Sequence, residues 1–355
     1  IGMVKNNVIG PGGITLQARC VDSYGLPDAF DNGAIESGWT EWGKRENASI
    51  SRQLSWVEMQ RLCIATVAMD GEAFIEKVYP AGDSKFGFAL RFLDPELIDV
   101  DMNRESGSSR IVMGIEYDGN DVPIAYYIKD AKNLVNGYGS YQRSVRIDAG
   151  GIIHVFIPEI VGQRRGLPWM STALMRLRML EGYADAALVA ARVGAAKMGF
   201  YESPDGEGYT GTDEDLLGNL VEDVEPGTFA ALPKGVKLSE WAPEYPRGEM
   251  EGFVKLMLRG IASGLGVSYN ALANDLEGVN FSSIRAGVLE EREIWKALQD
   301  WFIEAVCRPV YEPWLSMQLF GGTLTIPNLG GGRSPIPARK EEKYRAVSWT
   351  PRRWA

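Results

Sequence analysis

Apolar residues recur at helical spacing over a long stretch of the chain, residues 169–198. A turn signal precedes it at residues 166–168, and the stretch itself lacks proline and is rich in strong helix formers. The pattern predicts one helix of roughly 45 Å. Four alanines recur along it at helical spacing, which would let another helix approach closely, within the chain or in a neighbouring subunit. They are Ala184, Ala187, Ala191 and Ala195. A central core helix of a large enzyme has the same periodicity.

Alternation of apolar and polar residues predicts a β-rich first half that contains at least one helix. The predicted strands are residues 14–21, 72–79, 86–92 and 152–157. A hairpin is expected from residues 111–117 and 123–129. Helical periodicity is found at residues 51–69, 249–265 and 282–306, with a short helical turn at residues 269–272. The predicted fold class is α+β.

The segment that follows the long helix is acidic. Nine carboxylates fall within residues 202–225, and neither Lys nor Arg occurs between Lys197 and Lys234. A solvated loop is the simplest interpretation. A compact β pair is predicted farther along, at residues 227–232 and 236–241.

The C-terminal part is interrupted by prolines and glycines. Pro309 and Pro313 punctuate a Tyr/Trp-rich segment after the third predicted helix, and residues 330–338 are typical of a linker. Residues 333–355 carry an excess of Lys and Arg. Aromatic residues with basic neighbours occur at residues 349–354 (WTPRRW), which indicates either a contact with nucleic acid or a partner, or a packed edge of a helical domain.

The composition of the 355 residues is that of an ordinary globular protein, with 45% hydrophobic and 24% charged residues. No apolar run is long enough to span a membrane. Three widely separated cysteines exclude a disulfide framework and suit a reducing compartment. The chain begins with Ile1 rather than Met and ends abruptly at Ala355, so we expect it to be part of a longer polypeptide.

The formal net charge of the chain is −10. Tight DNA binding usually requires a basic surface, because affinity comes from Lys and Arg displacing counterions from phosphates. An acidic chain is therefore not expected to bind DNA tightly. A protein that surrounds DNA and lets it slide is the exception. A channel lined with basic residues would bind the duplex tightly, whereas a channel lined with acidic residues would not.

Signatures of catalysis and of cofactor binding are missing from the sequence. His154 is the single histidine and lies on a predicted strand, so we expect a structural role for it and no zinc site. No phosphate-binding glycine loop occurs. Paired carboxylates such as Glu290 and Glu291 are usually solvated, so they neither support nor exclude an acid–base hydrolase. No catalytic residue, metal or cofactor is predicted.

Several short motifs, taken in order, resemble those of lambda-type tailed-phage portal proteins. The motifs lie at residues 70–72 (DGE), 114–126, 154–158 (HVFIP), 162–166 (GQRRG), 225–235, 261–269, 280–286 and 338–349. Each motif is weak alone, but together they cover nearly the whole chain in the expected order. The N-terminal and C-terminal ends of such a protein are expected to be missing.

The resemblance implies a ring of subunits, typically twelve, at one vertex of a phage capsid. Double-stranded DNA would be pumped through the channel of the ring by terminase and would leave later through the tail, and the ring would hydrolyse nothing. The implied partners are further copies of the chain, double-stranded DNA, the terminase large subunit, the major capsid or scaffold protein and head–tail connector proteins, with no membrane. The protein would belong to the virion and assemble in the cytoplasm of the host bacterium.

The resemblance also divides the chain into the regions of a ring-forming portal fold. They are a β-rich wing (1–160), a first stem helix (161–200), a clip (201–246), a second stem helix (247–273), a tunnel loop (274–281) and a tunnel helix with a wing or crown segment (282–355).

Site residues follow from these regions as implications of the resemblance. The tunnel loop, facing the DNA, consists of Asn274, Asp275, Leu276, Glu277, Gly278, Val279, Asn280 and Phe281. The stem would line the channel with Glu251 and Lys255, and the alanines at 184, 187, 191 and 195 would pack between subunits. The clip would present a docking surface made of Glu222, Asp223, Lys234 and Lys237.

Two other classes of function stay open at this point. One is a soluble α/β hydrolase that uses paired carboxylates, and the other is a structural scaffold such as a component of a tail baseplate. Rings with a central hole would support the portal interpretation. A monomer with turnover would support the hydrolase, and filaments or plates would support the scaffold.

Overall fold

The structure is a computed structural model that describes residues 1–22, 24–79, 85–107, 109–129, 144–195, 199–202, 237–240, 249–275, 281–324 and 343–351. The chain divides into two compact units. The first unit combines Ile1–Ser171 with Leu276–Ala355, and the second unit is Thr172–Asp275. In sequence, the second unit is therefore an insertion within the first.

The described strands form antiparallel sheets. They are β1 Ile14–Ala18, β2 Glu72–Val78, β3 Ala89–Leu93, β4 Arg104–Ser106, β5 Ser109–Val112, β6 Ile115–Tyr117, β7 Pro123–Lys129, β8 Ser144–Asp148, β9 Ile152–Phe156, β10 Gly199–Glu202, β11 Lys237–Glu240 and β12 Val347–Pro351. The first unit contains a five-stranded meander in the order β4-β5-β6-β7-β8, a sheet in the order β3-β2-β9, and the pair β1-β12. In the second unit β10 pairs with β11.

The described helices include short turns as well as long elements. They are α1 Gly2–Val4, α2 Ala29–Trp42, α3 Arg45–Ala48, α4 Trp56–Asp70, α5 Ser171–Ala195, α6 Glu249–Gly264, α7 Tyr269–Ala273, α8 Phe281–Phe302 and α9 Arg308–Gly321. Lys5–Ile9 and Ile303–Cys307 are π-helical, and Pro95–Leu97 and Ala149–Gly151 are single 3₁₀ turns. Helices and antiparallel sheets together confirm the predicted α+β class.

The start and end of α4 are set by local side-chain chemistry. Ser55 accepts a hydrogen bond from the backbone N–H of Glu58, and the Glu58 carboxylate accepts one from the backbone N–H of Ser55 at 2.8 Å. This capping box begins the helix at Trp56, so the predicted start at residue 51 was five residues too early. Gly71 ends it with φ 90°, in the left-handed region that favours glycine.

A tight turn divides the segment 111–117, which was predicted as one strand. Met113 has φ 50° and Gly114 has φ 80°, the sign pattern of a type I′ hairpin turn. A Cβ at Gly114 would lie 2.6 Å from the carbonyl oxygen of Asp99. The segment therefore forms two short strands, β5 and β6, while the hairpin formed by β6 and β7 agrees with the prediction.

The first fifty residues contain a helix, α2, that the apolar pattern did not predict. Ile35, Trp39 and Trp42 lie at helical spacing on its buried side. Asp28 caps it by accepting from the backbone N–H of Asp31 at 3.2 Å. Glycines at residues 33 and 38 lower the helix propensity of the segment and hid this periodicity.

The prediction that prolines punctuate the segment after residue 306 was wrong. Helix α8 ends at Phe302, a π-helical turn follows, and α9 begins directly at Arg308. Pro309 is the second residue of α9 and directly follows the junction with the π-helical turn. Pro313 lies inside α9. Helical backbone therefore continues from residue 281 to residue 321.

The C-terminal strand packs on the aromatic core of the first unit. The Trp349 ring lies 5.9 Å from both the Trp39 and the Tyr311 rings, measured between centroids. Lys343, just before β12, contacts the buried carboxylate of Asp31 at 2.9 Å. Trp349 is therefore part of a packed edge, here a strand edge rather than a helical one. Residues 352–354 lie outside the described part.

A second apolar cluster joins the two larger sheets of the first unit. Its buried members come from the sheet strands and the segment between them: Phe74, Ile98, Ile115, Tyr117, Tyr126, Ile128 and Ile152. Phe74 of β2 and Tyr126 of β7 meet edge to face with ring centroids 5.8 Å apart. Burial of such side chains supplies most of the stabilisation of a sheet that is solvated on one side.

Candidate functional site

Helices α5 and α6 of the second unit run antiparallel and contact each other side by side. Arg176 Nη1 donates a hydrogen bond to the carbonyl of Gly260 at 3.1 Å. Farther along, the rings of Tyr183 and Phe253 have centroids 4.4 Å apart. A step of seven residues along α5 is therefore matched by a step of seven back along α6, the spacing of a heptad helix pair.

Glycines of α6 permit this close approach. The Thr172 hydroxyl donates to the carbonyl of Gly264 at 2.7 Å, one turn from the Arg176 contact and in the same register. A Cβ at Gly260 would lie 3.0 Å from Arg176 Nε, and a Cβ at Gly264 would lie 3.0 Å from Thr172 Oγ1. Small residues were predicted to pack on α5, and the glycine pair of α6 was not, although its four-residue spacing is visible in the sequence.

The alanines expected to pack between subunits have different surroundings. Ala187 is buried, whereas Ala184 and Ala191 are exposed. Ala195 ends α5, and its side chain lies outside the described ones. Packing within the chain thus leaves Ala184 and Ala191 open, and their role between subunits stays a prediction.

Lys255 of α6 joins two residues that were predicted at the channel. Its Nζ lies 2.6 Å from Glu251 Oε1, one turn earlier, and 3.8 Å from Asp275 Oδ2. Tyr269 of α7 donates its hydroxyl to the same Asp275 oxygen at 2.8 Å. This bond to a carboxylate raises the pKa of Tyr269. The Arg259 guanidinium lies 5.3 Å from the Tyr269 ring centroid. These five residues are termed the Lys255 cluster.

The backbone turns into the predicted tunnel loop at this cluster. Asn274 ends α7 with φ 53°, a left-handed conformation that Asn adopts more readily than most residues. Of the other predicted loop residues, Leu276, Glu277, Gly278, Val279 and Asn280 lie outside the described residues, and Phe281 begins α8. The structure thus brings Glu251, Lys255 and Asp275 together.

The predicted clip falls almost entirely outside the described residues. Glu222, Asp223 and Lys234 are among those not described, as are residues 227–232 of the expected β pair. Lys237 begins β11, which pairs with β10. The predicted first stem helix, residues 161–200, is helical from Ser171 to Ala195, and its last two residues begin β10.

In the first unit, three of the motifs that carry the resemblance meet around one buried carboxylate. Glu72 begins β2 directly after Gly71, His154 lies on the adjacent strand β9, and Arg165 lies in the segment before α5. Arg165 Nε donates to Glu72 Oε1 at 2.7 Å and to Oε2 at 2.9 Å. His154 Nε2 lies 2.9 Å from Oε2, and the backbone N–H of Gly166 donates to the same oxygen at 3.1 Å. We term this group the Glu72 junction.

In the Glu72 junction, the positive charge of Arg165 balances the negative charge of the buried Glu72 carboxylate. Burial raises the pKa of Glu72, but the hydrogen bonds from His154 and Arg165 outweigh it, so the pKa is lowered. Burial lowers the pKa of His154 by more than the carboxylate raises it. The imidazole is therefore neutral near pH 7 and donates from Nε2, because an ionised carboxylate only accepts. This is a satisfied structural group, as expected for His154.

Two glycines let the same motifs touch through their backbones. A Cβ on Gly166 would collide with the carbonyl oxygen of Gly71, and a Cβ on Gly71 would collide with the backbone of Leu167. The backbone N–H of Trp169 then donates to the carbonyl of Ala68 at 3.3 Å. The segment before α5 is thereby fixed on the C-terminal end of α4.

A cleft of about 270 Å³ opens beside the junction. Tyr117, Tyr126 and Phe156 line it, and the Arg164 guanidinium lies 4.1 Å from the Tyr117 ring centroid. Among the described residues, no three His, Cys, Asp or Glu side chains are grouped to hold a metal ion. No helix in the described part has the length and apolar character to cross a bilayer.

Comparison with known proteins agrees with the order of the motifs. The family described as "Phage portal protein, lambda family" matches residues 1–299. The probable portal protein of Halomonas phage phiHAP-1 is 33% identical over 99% of this chain and 67% of its own length. Portal protein B of Escherichia phage lambda is 23% identical over 83% of this chain and 60% of its own length. The chain thus spans about two thirds or less of these relatives.

Solved structures from gene transfer agent (GTA) particles are more distantly similar. The neck of an empty GTA particle computed with C6 symmetry gives a TM-score of 0.46 at 15% identity, over 92% of this chain and 86% of that chain. The neck of a native GTA particle computed with C12 symmetry gives 0.41 at 13% identity, over 90% of this chain and 92% of that chain. No comparison supports the hydrolase alternative. The family model matches most of the chain, and one relative is 33% identical along nearly all of it. The protein therefore belongs to the lambda family of phage portal proteins.

Proposed function

We propose that about twelve copies of the chain form a ring at one capsid vertex and that the ring encloses the channel for DNA packaging and ejection. The family match over residues 1–299 carries this proposal. The second unit supports it, because a long helix pair in a single register is an element that can repeat around an axis. In this role the protein is a structural component of the virion and catalyses no reaction.

The regions inferred from the sequence fit the two units in this proposal. The first unit would supply the wing, and the second unit would supply both stem helices and the clip between them. Strands β10 and β11 pair from Gly199 with Glu240 to Glu202 with Lys237. That pairing places the start of the clip segment, residues 201 and 202, beside Lys237 and Leu238 of the same segment.

The charge of the chain suits a channel that lets DNA slide. The net charge is −10, and an acidic wall holds phosphates weakly. In the Lys255 cluster, Glu251 and Asp275 both balance the lysine. We infer that this cluster and the tunnel loop, residues 274–281, face the DNA path.

The partners of the ring follow from its place at the vertex. The clip, including Glu222, Asp223, Lys234 and Lys237, would dock the terminase large subunit during packaging and the head–tail connector proteins afterwards. The wing would contact the major capsid or scaffold protein. Assembly would take place in the cytoplasm of the host bacterium, before the genome enters.

Native mass measurement and negative-stain imaging of the purified chain test the proposal. We expect closed rings of one subunit number with a central hole wide enough for duplex DNA. A monomer at every concentration would contradict the proposal, and filaments or plates would favour the baseplate scaffold. Packaging of DNA into capsids that contain the rings is the second measurement, because rings that cannot support packaging would contradict the channel function.

A further inference from the structure

Helix α5 carries two exposed stripes in addition to the side that contacts α6. The first stripe has spacings of four and three residues and consists of Met175, Met179, Gly182, Ala186 and Val189. The second has spacings of three and four residues and consists of Leu174, Leu177, Glu181, Ala184, Leu188 and Ala191. Met175 is 66% exposed and Leu188 is 51% exposed, and only Leu177 is half-buried. Both spacings are those of a heptad seam, which normally packs against a parallel or antiparallel helix.

The two stripes point to different sides of the helix. With about 100° per residue, the first stripe lies about 80° from the side that contacts α6, and the second lies about 130° from it in the opposite sense. They are therefore about 150° apart. A helix with one partner needs one seam, so two further seams that diverge widely indicate a neighbour on each flank.

Charged residues of both signs also lie on the exposed surface of α5, away from α6. They are Arg178, Glu181, Asp185 and Arg192. Within the part of the chain that the structure describes, none of these four side chains forms an ion pair. Their charges thus remain open to a neighbouring helix with the same sequence.

We propose that the first stripe of one copy packs against the second stripe of the next copy, with the helices parallel, all around the ring. The proposal rests on the ring proposed above and names the surfaces that close it. Rotation about one axis keeps equal residue numbers at similar heights. Each position of the first stripe then falls between two of the second stripe: Ala186 lies between Ala184 and Leu188 of the next copy, as knobs-into-holes packing requires.

Charge complementarity and the use of both stripes favour a second copy as the occupant. Arg178 borders the first stripe, and Glu181 lies in the second, so parallel neighbours bring opposite charges together across the interface. An isologous dimer would pair a stripe with itself and leave the other uncovered.

Cysteine cross-linking distinguishes the two arrangements. The natural cysteines Cys20, Cys63 and Cys307 are buried and do not interfere. Under mild oxidation, the double variant Ala186→Cys/Leu188→Cys should give a ladder of covalent multimers that ends at the ring size. The single variants Ala186→Cys and Leu188→Cys should give none, because each stripe faces the other stripe. Dimers from a single variant would overturn the proposal in favour of an isologous contact.

The native mass of the same samples separates this proposal from the ring itself. Rings without a ladder in the double variant would overturn the stripe assignment and leave the ring intact, whereas particles that never close would contradict both.

Charge exchange between Arg178 and Glu181 is an independent test. Arg178→Glu should reduce the ring fraction several-fold, and addition of Glu181→Arg should restore it; the same loss in both variants would contradict a contact between these residues.

Discussion

Arg165 and Glu72 are 93 positions apart in sequence, yet Arg165 Nε lies 2.7 Å from Glu72 Oε1 and 2.9 Å from Oε2. Both side chains are almost fully buried, and Arg165 Nη1 also donates to the carbonyl of Met113 at 3.1 Å. The ion pair therefore ties the start of β2 to the β5–β6 turn and to the segment that leads into α5. It connects the motifs by which the family can be identified.

Removal of Arg165 should destabilise the protein far more than removal of its neighbour Arg164. Arg165→Ala leaves the buried Glu72 carboxylate without its cation, for which a cost of about 3–5 kcal/mol in the free energy of unfolding is typical. Arg164 pairs with Asp121, whose side chain is 56% exposed, and lies over the Tyr117 ring, so Arg164→Ala should cost about 1–2 kcal/mol. Urea unfolding of both variants measures the difference, and equal costs would contradict the structural role of the junction.

Stability should fall as the pH drops below 7, and His154 should account for the first part of the fall. Burial lowers the pKa of His154 from its ordinary value of 6.5, so the unfolded chain takes up a proton before the folded chain does. The free energy of unfolding therefore decreases below pH 6.5, by at most about 1.4 kcal/mol per pH unit. His154→Gln keeps a donor for Glu72 and should flatten this slope. Unfolding at pH 7.5 and 5.5 tests it, and an unchanged slope would exclude His154 as the cause.

Gly166→Ala should destabilise the protein by roughly 3 kcal/mol, because the added Cβ collides with the carbonyl oxygen of Gly71. Gly162 is the matched control, since it lies in the same motif with φ 79° but has open space around its Cβ position. Gly162→Ala should cost only the backbone strain, about 1–2 kcal/mol. Thermal unfolding of the two variants gives the comparison, and a smaller Tm loss for Gly166→Ala than for Gly162→Ala would contradict the close approach.

Local patterns in the sequence predicted much of the fold. The apolar periodicity of residues 169–198 and 249–265 corresponds to α5 and α6, and alternation located β2 and β9 within one or two residues. Errors arose where one local signal competed with another. The capping box at Ser55 was overlooked in favour of apolar residues upstream, and Gly114 was taken as part of a strand although a turn requires it.

Long-range contacts could not be predicted from one sequence. Nothing local links Glu72 to Arg165, so their motifs were recognisable only by resemblance, and the physical reason for them emerged from the fold. The same holds for Lys255 and Asp275, which were predicted at the channel separately and meet because α7 turns back along α6. The four-residue spacing of Gly260 and Gly264 is visible in the sequence, but their role in packing could be inferred only once the structure showed that they face α5.

Neutralising the acids of the Lys255 cluster should make the protein bind DNA more tightly. Glu251→Gln/Asp275→Asn removes the two carboxylates that contact Lys255 Nζ among the described residues, so the positive charge of the ammonium is less balanced and attracts phosphates more strongly. DNA affinity, measured by fluorescence anisotropy at low salt, should rise, and log K against log[salt] should steepen by roughly 0.9 for each added phosphate contact. Lys255→Ala in the double variant should reverse the gain. Glu293→Gln/Glu304→Gln is the control for net charge, because it also removes two carboxylates, which pair with Lys296 and Arg308 in the first unit. An equal rise in affinity from that control would show that net charge, rather than the cluster, governs how the protein meets DNA.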